Sequence, residues 1–288
     1  MIDAHHHLWD LKAVHYPWLM AKGEVRFFGD PAPIQRDFLI DEFRAMAAAK
    51  GITASVHIQV GAEDGIDEAR WIQSVADAHH DWPMAQVGFV DLTAPDALSR
   101  LDQLQALPSL RGVRQIVGRA PGEDARTGTN SLLDDPAFLK GLKEVAARGL
   151  SFDLQLIPEL MGKMAVLLAE VPELRVALCH AGSPYDRSDE GIASWADQLS
   201  ALSSLPQVTC KLSGLGMFDH HWTTDSFAPV VAVCLDQFGP ARCMVGSNFP
   251  VDSLYSDYGT LMDAFAQLIP AKDHRAVFEE TARHFYKL

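Results

Sequence analysis

Residues 135–156 read Asp135-Pro-Ala-Phe-Leu-Lys-Gly-Leu-Lys-Glu-Val-Ala-Ala-Arg-Gly-Leu-Ser-Phe-Asp-Leu-Gln-Leu156. Three signals lie in this one stretch. Pro136 after Asp135 suits the first turn of a helix, where the missing N–H costs nothing and φ is already set. Gly149 after Arg148 suits the left-handed residue that closes a helix. The apolar run Ser151–Leu156 that follows has the length of a strand. The order is helix, glycine, strand.

The same unit repeats outward in both directions. Strand-like runs are expected at Met1–His5, Ser55–Gly61, Ala85–Asp91, Gly112–Val117, Ser151–Leu156, Arg175–His180, Gln207–Leu212 and Cys243–Ser247. Amphipathic helices are expected at Asp37–Lys50, Ile66–His80, Pro95–Leu107, Pro136–Arg148, Pro158–Glu170, Ile192–Leu205, Phe227–Phe238 and Tyr258–Leu268, with an extra C-terminal helix at Ala271–His284. Strands alternating with helices predict an α/β fold with a parallel sheet covered by helices. Eight units of roughly 30 residues favour a closed (β/α)8 TIM barrel over an open doubly wound sheet. Gly-x-Gly-x-x-Gly and P-loop patterns are absent, which counts against a nucleotide fold. No linker or low-complexity tract interrupts the 288 residues, so one domain over 1–288 is expected.

Composition narrows the function classes. Apolar residues make up 48% and charged residues 22%, with 38 acids against 24 bases and a formal charge of −14. Such a surface repels nucleic acid and anionic membranes, so neither is expected as a partner. The four cysteines form no C-x-x-C pair and read as free, buried thiols. Met1–His7 lacks the basic and apolar segments of a secretory leader, and no apolar run nears the roughly 20 residues of a membrane span. The expected compartment is the cytoplasm. The expected partner is a small-molecule substrate, with a second copy of the chain as the other candidate and no surface singled out for it.

In a barrel of this kind the strand C-termini and the loops after them build the active site. Alternate residues of a strand share a face, so His5 and His7 aim two imidazoles at one centre. The other strands present Gln59, Arg114 and Gln115, Asp153 and Gln155, His180, Lys211 and Ser213, and Asn248 with Asp252 just beyond. Asp153 is a charge in an apolar strand, costly unless paired or functional. Arg114 suits bidentate capture of a carboxylate. The long segment His15–Arg36 is expected to cover the barrel mouth, with Trp18, Phe27 and Phe28, joined by Phe218, His220 and Trp222, as pocket residues.

These residues carry a resemblance. Ile2-Asp3-Ala4-His5-His6-His7-Leu8-Trp9-Asp10 resembles the D-x-H-x-H-x-W opening of the amidohydrolase superfamily. More narrowly it resembles the amidohydrolase-related (amidohydrolase 2) family and its sugar-lactonase-like group, of L-fuconolactonase or L-rhamnonolactonase type. Tyr16-Pro17-Trp18, Leu110-Arg111-Gly112-Val113-Arg114, Leu178–Pro184, Cys210–Leu215 and Met244–Val251 resemble further motifs of that group, in order along the chain. The resemblance implies a distorted TIM barrel and a hydrolase acting on lactones of sugar acids or on carboxylated lactones. It implies His5, His7 and His180 as ligands of a divalent metal, zinc first. Two positions depart from the pattern: the strand-8 Asp is Asn248, and Gln115 stands where relatives often carry His. An amide cannot take a proton from water, and a lost carboxylate weakens a cation site.

Lactone opening needs a polarised carbonyl, an activated water and a protonated leaving oxygen. The site expected from the sequence assigns catalysis to His180, Asp153, Asp252 and Asn248, with Asn248 as a carbonyl donor and not a base. It assigns substrate contacts to Trp18, Gln59, Arg114, Gln115 and Lys211. Two rival readings use the same residues. One is a metal-dependent decarboxylase of an aromatic or unsaturated acid, and the other a catalytically silent barrel that binds a small acid or sugar.

Overall fold

Eight strands lie side by side in chain order, all parallel: β1 (Ile2–His6), β2 (Ala54–Ile58), β3 (Met84–Gly88), β4 (Leu110–Ile116), β5 (Ser151–Gln155), β6 (Val176–Leu178), β7 (Val208–Leu212) and β8 (Cys243–Val245). The computed structural model describes residues 1–288, except for the side chain of Arg126. Eleven α-helices wrap the sheet: α1 (Pro17–Met20), α2 (Ile40–Ala48), α3 (Gly65–Ala78), α4 (Ala97–Gln105), α5 (Pro121–Thr127), α6 (Pro136–Ala147), α7 (Met161–Ala169), α8 (Asp189–Ser203), α9 (Thr224–Phe238), α10 (Tyr258–Leu268) and α11 (Thr281–Tyr286). This is the TIM barrel that the alternation predicts. Among the described residues, no helix is long and apolar enough to cross a membrane.

The stretch 135–156 folds as its residues direct. The Asp135 carboxylate accepts from Ala137 N and caps α6, with Pro136 in its first turn. Gly149 takes φ +67° and turns the chain into β5. Phe138 on α6 and Phe152 on β5 are both fully buried and meet edge to face, their ring centroids 6.0 Å apart. Burying each ring contributes about 1.5–3 kcal/mol, which is what holds a helix against its strand.

The barrel closes imperfectly. β1 shifts register against β2 between Asp3 and His6, and β3 shifts against β4 between Gln86 and Val87. The seam between β8 and β1 is joined past the strand tips, by Asn248 N–H to His5 O and His7 N–H to Phe249 O, both 2.7 Å. The Asp3 carboxylate rivets it from within, accepting from His5 N–H (3.1 Å), Ser247 N–H (2.9 Å) and the Tyr258 hydroxyl (3.0 Å). A Cβ on Gly246 would come within 2.5 Å of the His5 Cβ, so only glycine lets the two strands approach so closely.

Four differences from the sequence expectations concern the loops. The mouth segment 15–36 contains α1 and a short turn of 3-10 helix at Ala32–Ile34. The β4–β5 connection carries α5 and a 3-10 turn at Thr129–Asp134, neither expected, because Pro121 and Gly128 punctuate too short a span for a visible period. β6 stops at Leu178, because His180 and Ala181 turn left-handed. The C-terminal helix is broken into a 3-10 turn at Ala271–Asp273, a π-helical stretch at Ala276–Glu280 and α11. Its end enters the barrel: the Tyr286 hydroxyl donates to Asp153 Oδ2 at 2.8 Å.

Candidate active site

A cavity of about 430 Å³ opens at the C-terminal ends of the strands. Two of its polar walls sit on strained backbone. His180 follows β6 with φ +55°, and Asn248 follows β8 with φ +57°. Left-handed non-glycine residues cost of order 1–3 kcal/mol and cluster where function over-determines them. Gly214, itself left-handed, makes room for the histidine: a Cβ there would strike His180 Nδ1 at 2.4 Å.

Three imidazoles adjoin. The His5 ring centroid lies 5.1 Å from that of His7 and 4.6 Å from that of His180. His7 and His180 face the cavity, and His5 stands behind them. Burial pushes all three well below the ordinary histidine range, and the charge of Arg114 pushes the same way, joined by Lys211 at His5 and His180, so they are neutral. His180 Nδ1 lies 3.0 Å from Ser213 Oγ, which fixes its ring and leaves Nε2 for the cavity. His7 Nδ1 lies 2.7 Å from the Ile58 carbonyl, which can only accept, so Nδ1 carries the proton and Nε2 is bare.

Asn248 Oδ1 lies 3.2 Å from His7 Nε2, and Asn248 Nδ2 donates to Asp252 Oδ1 at 2.8 Å. A bare Nε2 needs an N–H from Asn248, which turns the amide oxygen toward Asp252. Asp252 then has to be protonated. Its burial does favour the acid form, moving its pKa up to about 7. The opposite amide orientation, with N–H to an ionised Asp252, needs a proton on His7 Nε2. Either way the chain of three groups holds one extra proton.

Arg114 lies deep in the wall. It donates to the Gln59 carbonyl and, at 3.3 Å, to Gln155 Oε1, while its Nε has no partner. Gln59, Gln115 and Trp18, the expected substrate contacts, also line the cavity. Their other bonds hold the walls: Trp18 Nε1 donates to Val60 O, and Gln115 Oε1 accepts from Leu92 N–H.

The structure gives three expected site residues, Lys211, Asp153 and Asp252, another place. Lys211 and Asp153 are fully buried beneath the histidines and paired with each other at 2.6 Å, with Tyr286 as a third partner. Neither lines the cavity, so Lys211 offers substrate no free ammonium and Asp153 no free base. Asp252 likewise stands behind Asn248. Phe27 and Phe28 line the cavity as expected. Phe218 and His220 belong instead to a neighbouring depression on the far side of Phe27, and Trp222 stacks on Phe227 at 4.5 Å.

Two charged cavity residues escaped the sequence reading, Arg26 and Arg119. Arg119 lies two residues past the expected strand 4 and was within reach of a search of strand-tip loops. Arg26 carries no local signal, because its partner Glu123 is remote in sequence.

The fit of a divalent cation follows from the donors. Neither ring nitrogen of His5 has a hydrogen-bond partner, and neither has Asp252 Oδ2, and these are the features that invite an ion. The rest of the set opposes it. Among the described residues, no group of three His, Cys, Asp or Glu is arranged to hold a metal. No carboxylate faces the imidazoles, and Lys211 and Arg114 already place positive charge beside them. These residues do not fit a resident divalent metal.

Comparison with known proteins gives the family. The amidohydrolase family model matches residues 2–288. A protein of Sinorhizobium fredii described as uncharacterized protein y4mH is 34% identical, over 100% of this chain and 98% of its own. An L-fucono-1,5-lactonase of Burkholderia multivorans is 30% identical, over 100% of this chain and 96% of its own. A crystal structure of a Burkholderia multivorans amidohydrolase with bound zinc superposes with a TM-score of 0.84 at 27% identity, covering 100% of this chain and 99% of that one.

Proposed function

The chain belongs to the amidohydrolase family, and on that premise we propose that it hydrolyses a lactone in the cavity walled by His7, His180, Asn248 and Arg114. The observation that carries this reading is the convergence of two neutral imidazoles, His7 and His180, and the buried Arg114 guanidinium on one chamber. Neutral imidazoles can accept and return a proton, and a fixed cation stabilises an oxyanion in a site of low dielectric. The 30% identical L-fucono-1,5-lactonase supports the choice of a lactone.

The reaction balances with these groups alone. The lactone carbonyl oxygen lies toward the Arg114 guanidinium, which lines the cavity. Water attacks the carbonyl carbon, and His180 Nε2 takes a proton from that water. The acyl–oxygen bond of the ring breaks. The leaving ring oxygen takes the proton back from His180, whose low proton affinity makes that return easy. The new carboxylic acid ionises and releases one proton to solution. Ser213 keeps the imidazole in place throughout. Asn248, held by Asp252, keeps His7 Nε2 occupied and the chamber wall rigid.

The zinc of the Burkholderia structure has no step in this reaction, for the donor-set reason given above. The test is acid release, followed with a pH indicator, from a panel of aldonolactones and carboxylated lactones. Purified protein should release acid, and His180→Ala should lose about 10²–10⁴-fold in rate. Equal rates for the two proteins would remove His180 from the reaction.

A further inference from the structure

Gln59, Val60 and Gly61 follow β2 and line the cavity. Their backbone holds two groups of the site. The Gln59 carbonyl accepts from Arg114 Nη2, and the Val60 carbonyl accepts from Trp18 Nε1 at 2.7 Å. Past the strand end this loop needs anchors of its own. Gln59 N–H donates to Val87 O at 2.8 Å, and Gly61 N–H turns back to Gln59 Oε1 at 2.8 Å. The Val60 N–H between them donates to Glu68 Oε1 at 2.9 Å.

Glu68 lies in the first turn of α3 with its side chain buried, and it is not part of the cavity wall. A carboxylate is kept inside a protein where donors surround it. Here three donors address one oxygen. Oε1 accepts from Val60 N–H and, at 3.4 Å, from the Tyr16 hydroxyl, while His57 Nε2 stands 3.7 Å away. His57 Nδ1 accepts from Leu8 N–H at 3.1 Å, so Nε2 carries the proton of that ring.

Tyr16 and Val60 approach Trp18 from two sides. Tyr16 is fully buried at the start of α1, two residues before Trp18. Val60 holds the far end of the indole. Glu63 N–H donates to His15 O at 2.9 Å, a further tie between the same two segments. One carboxylate on α3 thus joins the mouth segment to the β2 loop, and the loop in turn holds Arg114.

We propose that Glu68 is a positioning residue for this site: its Oε1, by holding Val60 and Tyr16, sets the places of Arg114 and Trp18 in the cavity wall. The role belongs to the position of the acceptor and not to its charge. A reacting group misplaced by about 1 Å can cost ~10²-fold in rate, so a residue that touches no substrate governs turnover in this way. The effect on turnover rests on the lactone-opening reading of the site, and the seating of Trp18 does not.

Two conservative variants separate position from charge. Glu68→Gln loses the charge and keeps an oxygen at the same reach. Glu68→Asp keeps the charge and draws the oxygen back by one methylene. Trp18 is followed by fluorine NMR of protein labelled with 5-fluorotryptophan, its signal assigned from its disappearance in Trp18→Phe. Lactone hydrolysis is measured on the same proteins. The expected result in Glu68→Asp is a displaced Trp18 signal, a raised KM and a kcat lower by about 10–100-fold. In Glu68→Gln all three should return toward wild type. Because the loss of kcat runs through Arg114, Glu68→Asp should lower kcat little further in an Arg114→Ala background. If circular dichroism shows Glu68→Asp unfolded, Glu68→Met, which fills the space without an oxygen, takes its place. A Trp18 signal unmoved in Glu68→Asp overturns the proposal. So does a moved signal with kcat and KM unchanged, which leaves Glu68 a structural residue, and so does a full further loss in the Arg114→Ala background. Losses in Glu68→Gln equal to those in Glu68→Asp give the role to the charge and overturn the positional account. If wild type opens no lactone, the functional reading fails, and the Trp18 signal alone decides whether Glu68 seats the indole.

Discussion

His7 Nε2 and the Asn248 side-chain amide face each other at 3.2 Å across the seam where the barrel closes. The position that resembles the metal-binding or basic Asp of the superfamily carries an amide here, and Asp252 stands one step behind it at 2.8 Å. Asn248→Asp should restore a carboxylate beside two bare imidazole nitrogens. Zinc content by elemental analysis should rise to about one ion per chain in that variant, while wild type stays well below it. Equal zinc in both would contradict the donor-set argument.

The same argument predicts the effect of chelation. Wild-type lactone hydrolysis should survive dialysis against EDTA unchanged. A loss of activity that added zinc restores would overturn the metal-free account.

Arg114 is assigned to the oxyanion and not only to binding. Arg114→Ala should therefore lower kcat by about 10²–10³-fold, as removal of an oxyanion donor does. A rise in KM with kcat untouched would make it a substrate-binding residue alone.

Lys211 and Asp153 form an ion pair with no solvent exposure, closed by Tyr286. Lys211→Met leaves a buried carboxylate without its cation and should cost about 3–5 kcal/mol in unfolding free energy. Replacing both, with Asp153→Leu added, should recover most of that loss. Urea unfolding followed by circular dichroism reads both. A single variant as stable as wild type would show that Tyr286 suffices for Asp153.

Burial holds five histidines below their ordinary pKa: His5, His6, His7, His57 and His180. The folded chain keeps them neutral where the unfolded chain protonates them, so stability is present above pH about 6.5 and is lost as pH falls below it. Burial raises Asp3 and Asp252, and these two act in the opposite direction, since the fold keeps them protonated where the unfolded chain ionises them. Five imidazoles outnumber two carboxyls, so the net effect is acid lability, about 1.4 kcal/mol per pH unit for each proton in excess. Thermal unfolding should show Tm falling from pH 6.5 to pH 5. A flat Tm over that interval would mean that the imidazoles are already charged in the fold.

The fold was legible because each unit states its own limits. Asp135-Pro136, Arg148-Gly149 and the run Ser151–Leu156 place a helix, a turn and a strand by local chemistry, and all eight strands appear within a few residues of their expected ends. His180 shows where that reading stops. An extended end to strand 6 gives way to left-handed backbone, because the loop packing that forces it includes Gly214 on another strand's loop. The histidines and Arg114 were legible because strand periodicity points them inward. Lys211 and Asp153 have the same periodicity but meet Tyr286, which comes from the far end of the chain. Arg26 and Arg119 were missed because their meeting at Glu123 joins the mouth segment to α5, a contact that no local pattern encodes.

The most direct test of lactone opening at this site is hydrolysis in oxygen-18-labelled water, with the product analysed by mass spectrometry. The account predicts one labelled oxygen in the newly formed carboxylate and none in the hydroxyl released from the ring, at a rate that falls with His180→Ala. Label in the hydroxyl, carbon dioxide in place of acid, or no product from any lactone would contradict it.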